Sequence, residues 1–179
     1  MSVPSNHNEK HALYTPEERR RRDESPWTLV QGVLAITQFA VFLVSLTLIL
    51  RYLATGEGLG LASASIVIKT LVLYVIMVTG SIWEREVFGC YLFASPFFWE
   101  DVVSMLVIAL HTAYLWAYLS SSLDVTFQIL LALAAYSAYA VNAMQFVLKL
   151  RAARREGALA GDVASLTPNA DQVLAGDPL

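Results

Sequence analysis

Three carboxyl groups stand where apolar runs meet a short polar and aromatic connection: Glu84, Glu100 and Asp101. Two of them follow a tryptophan, in Trp83-Glu84 and Trp99-Glu100. Charged side chains this close to lipid are costly unless paired or wet, so they read first as functional groups. Partial burial and like-charged neighbours let a carboxyl keep its proton to higher pH. Such a group can act as a general acid near neutral pH, with a second carboxyl as base or water-orienting group. A structural reading stands beside this one: acidic residues at a helix start complement its dipole. That covers Asp101 and part of Glu100. It does not cover Glu84, which closes a helix, where negative charge is unfavourable.

His111 is the other reactive group. Glu100, Ser104, Ile108 and His111 follow the spacing i, i+4, i+8, i+11, which places them on one helical face, with Asp101 about a quarter-turn away. The remaining two histidines lie in the polar N-terminal stretch. An imidazole inside an apolar run can ligate a metal such as the Mg of a chlorin ring, carry a proton, or pack with a hydrogen bond. A b-type cytochrome needs paired intramembrane histidines, and the second is missing.

The elements that must position these groups are membrane helices. Of the 179 residues 56% are hydrophobic and 15% charged, and mean hydropathy is +0.54, well away from soluble-domain averages. Trp27–Leu50, Val102–Leu123 and Val125–Leu148 hold no Asp, Glu, Lys or Arg, and 58–83 holds only Lys69. About 20 apolar residues cross a bilayer as a helix. The expected fold is all-α: an integral membrane four-helix bundle, with a short interfacial segment between helices 2 and 3. The expected organisation is a polar tail with a basic anchor over 1–26, a four-helix catalytic domain over 27–150, and a disordered tail over 151–179. In the first tail Thr15, Pro16 and Glu18 spell a capping box and helix start ahead of Arg19–Arg22.

Within the spans, Gln31, Gln38 and Ser45 recur every seven residues, and Tyr139, Asn142, Gln145 and Lys149 form a second polar stripe. Polar side chains in lipid turn to the bundle interior, as helix–helix ties or as a pocket lining. Lys69 has a stem long enough to snorkel to the nearer surface, with a role in the site as the alternative. The connection 87–99 carries six aromatics, one Gly and one Pro, and suits the headgroup level. Leaving out Lys69, ten Lys and Arg fall on one side and Arg51 alone on the other, so both termini and the Glu84–Asp101 connection are expected in the cytoplasm.

Other classes find no support. The single cysteine, Cys90, excludes an internal disulfide, and no P-loop, GxGxxG, CxxC or HExxH pattern occurs. No nucleic-acid partner is expected. The polar first 26 residues do not read as a cleaved signal peptide.

Four long stretches carry a resemblance: LYTPEERRRRDESPWTLVQGVLA (13–35), LRYLATGEG (50–58), VTGSIWEREVFGCYLFASPFFWEDVVSMLVIALHTAYLWA (78–117) and VNAMQFVLKLRAAR (141–154). Together they resemble the 3-vinyl bacteriochlorophyllide hydratase family of phototrophic bacteria over 13–155. The resemblance implies a multi-pass enzyme of the bacterial inner, photosynthetic membrane. It would add water across the C3-vinyl group of a chlorophyllide or bacteriochlorophyllide, giving a 1-hydroxyethyl group. No cofactor is expected beyond the Mg that the substrate carries. Membrane lipid and neighbouring pigment-biosynthesis enzymes are the expected surroundings. The family brings no catalytic set with it, so the assignments follow from chemistry. Glu100 is expected as the proton donor, with Glu84 as alternative, Asp101 in support, and His111 as catalytic residue or axial ligand to the substrate Mg. Ser104, Tyr114, Asn142, Gln145, Gln38, Arg85 and Trp99 are expected to line the substrate. Two rivals remain: a non-catalytic pigment-binding or assembly protein, and a transporter subunit using Glu84 and Glu100 as a proton relay.

Overall fold

The computed structural model describes residues 13–166, with side chains described over 13–155. Five helices follow one another: α1 (Pro16–Glu24), α2 (Pro26–Thr55), α3 (Leu59–Phe88), α4 (Phe98–Ser120) and α5 (Val125–Leu166). A 3-10 turn, Ser95–Phe97, leads into α4. There is no strand among the described residues. Four helices are long and apolar enough to cross a bilayer: α2, α3, the 3-10 turn with α4, and Val125–Arg155 of α5. The chain is thus a helical membrane bundle.

Local chemistry accounts for the boundaries. The capping box forms as expected: Thr15 Oγ1 accepts from the Glu18 amide at 3.2 Å, and Glu18 Oε2 accepts from the Thr15 amide at 2.8 Å. Ser25 ends α1 and caps α2, where Pro26 takes the first helical position and needs no N–H partner. The hairpin between α2 and α3 turns on Gly56 and Gly58, both left-handed at φ 73° and 86°, where a Cβ would be strained.

Contacts divide the chain into two units. The larger, Tyr14–Gln145, holds α1 to α4 and the first part of α5. Its interior is drawn from one stripe of each span: Gln38, Phe42, Ser45 and Ile49 on α2; Ala62, Ile66, Lys69 and Leu73 on α3; Ser104, Val107, His111 and Tyr114 on α4; Ile129, Ala132, Tyr136 and Tyr139 on α5. The opposite faces expose apolar side chains, Leu29, Ile36, Trp116 and Leu119 among them, as a lipid-facing surface does. Lipid is as apolar as the interior, so close packing and interhelical hydrogen bonds carry the association. Gln31 Nε2 donates to Thr79 Oγ1 at 2.7 Å. The Ser45 hydroxyl meets both Ser65 Oγ at 2.6 Å and the Tyr136 hydroxyl at 2.5 Å.

In the smaller unit the described part beyond Phe146 is the end of α5. Composition favours disorder from residue 151, yet α5 continues to Leu166. Ala, Arg, Glu and Leu in that stretch are strong helix formers and extend an existing helix without a new nucleus. The expectation of disorder for 167–179 lies outside the described residues.

Candidate active site

The connection between α3 and α4 is built around two buried carboxyls. Gly89 closes α3 in the left-handed region, at φ 84°. Four residues later Phe93 also adopts a positive φ, 61°, a conformation that costs a non-glycine residue about 1–3 kcal/mol and needs support. The support comes from acceptors on both flanking helices. Asp101 Oδ2 on α4 accepts from the Phe93 amide at 2.7 Å, and Glu84 Oε2 on α3 accepts from the Ala94 amide at 3.2 Å. The Glu84 and Asp101 side chains also lie within reach of each other. A carboxyl donates a hydrogen bond only when protonated, so a direct bond between the two would need a proton on one of them. Both are almost fully enclosed, at 5% and 3% exposure. The pair explains how α3 tolerates an acidic residue in its last turn.

An aromatic box closes over this connection. Tyr14 stacks on Phe88, with centroids 5.8 Å apart and planes at 14°. Trp83 meets Phe88 and Phe97 edge-on at 5.8 and 5.7 Å. Arg22 lies over the other side of Tyr14, 4.7 Å from the centroid. Burial, only partly opposed by Arg22, holds the Tyr14 hydroxyl above its ordinary pKa, so it stays neutral. Trp83 Nε1 donates to Thr28 Oγ1 at 2.9 Å, and Thr28 donates to the Arg22 carbonyl at 2.6 Å. The basic α1 is in this way fastened to the ends of α2 and α3.

A second group lies deeper, between α4 and α5. Asn142 Nδ2 donates to the Glu100 carbonyl at 3.0 Å and to Ser104 Oγ at 2.9 Å, while Ser104 donates to the same carbonyl at 2.8 Å. Glu100 is buried at 7% exposure. Two turns beyond Ser104, His111 is wholly enclosed and stacks on Tyr136, centroids 5.8 Å apart. Its Nδ1 is 2.8 Å from the Val107 carbonyl. A carbonyl only accepts, so Nδ1 carries the hydrogen and a neutral ring keeps a lone pair on Nε2. Among the described residues Nε2 has no hydrogen-bond partner. Nε2 is thereby left as an acceptor facing the interior. The Tyr114 hydroxyl lies toward Ser63 without a hydrogen bond of ordinary geometry. Both ends of the buried Gln38 amide, and Oε1 of Gln145, are unpartnered among the described residues.

The structure therefore brings together Glu84 with Asp101, and Glu100 with Ser104 and Asn142. His111 and Tyr114 lie on the same interior stripe of α4. Trp99 and Arg85 stand apart: Trp99 is 68% exposed, and Arg85 is exposed and lies against the Tyr91 ring and hydroxyl. Sequence reasoning missed the interior place of Tyr136 and favoured the surface for Lys69. Lys69 does not snorkel but sits wholly inside the bundle, and Tyr136 and Tyr139 meet the His111 ring and the Lys69 amine. The signal available for Tyr136 was its spacing with Ile129, Ala132 and Tyr139 on one face of α5.

The chain is similar to known proteins over most of its length. Residues 14–152 match the profile of the 2-vinyl bacteriochlorophyllide hydratase family. The chain belongs to that family. Two relatives carry the name 2-vinyl bacteriochlorophyllide hydratase. That of Rhodobacter capsulatus is 61% identical over 155 residues, covering 87% of this chain and 90% of its own. That of Cereibacter sphaeroides is 63% identical over 142 residues, covering 79% and 88%. No solved structure matches the chain. The hydratase match spans α1 to α4, the connection, and α5 as far as Ala152, so it includes both carboxyl groups of the pair, Glu100 and His111.

Proposed function

We propose that this membrane hydro-lyase adds water across the vinyl group of a chlorophyllide or bacteriochlorophyllide, with the Glu84–Asp101 pair as the proton source. One observation carries the assignment of the acid: two enclosed carboxyls meet beside an aromatic-walled connection. In the first step that proton passes to the terminal vinyl carbon, which becomes a methyl group. The cation left on the adjacent carbon is delocalised into the macrocycle. Water then attacks that carbon and returns a proton to the carboxylate, so that the net change is one water added. The step uses no electron transfer, and the only metal involved is the Mg within the substrate.

His111 Nε2 is the group suited to that Mg. Asp101 and His111 are ten residues apart, about 15 Å along the axis at 1.5 Å per residue. Two side chains and the half-width of a substituted ring bridge that separation. His111 is fully enclosed, so a ring reaches it only as the helices part. Glu100 supports a second reading, because it shares a face with Ser104 and His111 and so could present its carboxyl to the same ring. The excess of Lys and Arg beside the connection favours cytoplasmic termini, with the acid pair at the cytoplasmic boundary.

The deciding experiment supplies purified protein with a 3-vinyl chlorophyllide. The expected product is heavier by one water and incorporates ¹⁸O from labelled solvent. Pigment binding without any such product would favour the non-catalytic reading.

A further inference from the structure

Lys69 is the one basic residue within the apolar stretch of α3, fifteen residues before Glu84 and about 22 Å away along the helix. Its side chain is wholly buried. Nζ sits 3.5 Å from the centroid of the Tyr139 ring and, among the described residues, has no hydrogen-bond partner. A ring face engages one N–H; the amine has at least one more to donate. No acidic side chain pairs with it among the described residues. The walls are specific. Phe42 packs on Tyr139 at 4.9 Å and on Tyr136 at 5.4 Å, and Tyr136 stacks on His111. Lys69 and His111 thus contact Tyr139 and Tyr136, two neighbouring rings of α5 that both pack on Phe42. The interior holds an unused donor, Lys69 Nζ, and an unused lone pair, His111 Nε2, against neighbouring tyrosines.

A lysine at this depth is expensive to keep, and intramembrane ionisable residues face the interior because they serve a pathway or a ligand. A purely structural lysine would be expected to hold an acceptor on a neighbouring helix. This one holds only a tyrosine face, which leaves a donor for a ligand that carries oxygen.

We propose that Lys69 anchors an oxygen acceptor of the bound macrocycle, fixing the part of the ring remote from the vinyl group. The proposal rests on the reading that the chain binds a chlorophyllide-type pigment. Such a pigment offers two acceptors of this kind, the free carboxylate of its propionate and the ketone of its fifth ring, and both present oxygen to an N–H.

The test is a pigment titration of the full-length protein in nanodiscs, followed by absorption. Three ligands are compared: the free acid, its methyl ester, and an analogue lacking the ring ketone. Wild type should bind the free acid about 10- to 100-fold more tightly than Lys69→Met does, the range for a hydrogen bond with a charged partner. Lys69→Met should melt close to wild type, since it trades the Tyr139 ring contact for relief of an otherwise unmatched buried donor. A loss seen with the acid but not with the ester assigns the carboxylate. A loss seen with both, but not with the ketone-free analogue, assigns the ketone and should accompany a smaller red shift in the variant. Equal binding of all three ligands by wild type, or of each ligand by wild type and variant, overturns the proposal. Should Lys69→Met not fold, Lys69→Gln replaces it under the same criteria, and the wild-type comparison stands by itself. Hydration by wild type is measured in parallel. Turnover without discrimination refutes the Lys69 anchor alone, whereas absence of turnover refutes the hydratase reading.

Discussion

Replacing Glu84 by Gln separates the chemistry of the acid pair from its architecture. The glutamine amide is nearly isosteric. Its oxygen can still accept from the Ala94 amide and its nitrogen can donate to Asp101, so both contacts of Glu84 persist. What disappears is the transferable proton. General acid catalysis contributes about 10²–10⁴-fold, which at 1.36 kcal/mol per tenfold corresponds to about 3–5 kcal/mol of transition-state stabilisation. Glu84→Gln should therefore bind pigment with near-normal affinity and lose turnover by that factor. Glu84→Ala is the contrasting variant: it orphans the buried Ala94 amide and leaves Asp101 without its partner. A further loss of about 1–3 kcal/mol in stability should follow. The assay is conversion of a 3-vinyl chlorophyllide in nanodiscs, read by mass and absorption, beside a thermal melt of each variant. Turnover of Glu84→Gln within threefold of wild type would refute Glu84 as the donor. If Glu100→Gln then shows the 10²–10⁴-fold loss, the proton comes from Glu100. Normal turnover in both variants and in Asp101→Asn would remove carboxyl acid catalysis altogether.

Three other outcomes can be checked independently. His111→Ala should weaken pigment binding and abolish the absorption shift of the bound ring; an unchanged spectrum with a lower melting temperature would make His111 a packing residue. For orientation, single cysteines are introduced on a Cys90→Ser background: Glu57→Cys or Ser122→Cys should react with an impermeant reagent added outside, and Leu92→Cys should not. Labelling of Leu92→Cys alone would invert the topology and put the acid pair on the other face. Ser45→Ala removes the hydroxyl shared by Ser65 and Tyr136; with intramembrane hydrogen bonds averaging about 0.6 kcal/mol, unfolding in micelles should become easier by about 1 kcal/mol. A change above about 3 kcal/mol, beyond what two such bonds supply, would show that the interior network acts as a cooperative unit.

What the sequence by itself determined was local or repetitive. Four apolar runs become four spans because a bilayer sets the length and helices satisfy their own backbone groups. The Thr15–Glu18 capping box depends only on residues three apart and forms as read. The face shared by Glu100, Ser104 and His111 follows from helical periodicity and is buried as expected. Membership of the hydratase family was likewise legible, since long stretches from 13 to 154 carry it. The tertiary structure decided which polar groups meet. Glu84 and Asp101 are seventeen residues apart, and only the return of the chain through the Phe93 turn brings their carboxyls together. No periodicity encodes that meeting. Trp99 and Arg85 share the same neighbourhood in sequence, yet they face outward because each points to the other side of its helix. Lys69 is the clearest case. Its stem is long enough for either fate, so its residue type leaves surface and interior open. The packing of α2 and α5 around α3, with Tyr139 beneath the amine, selected the interior.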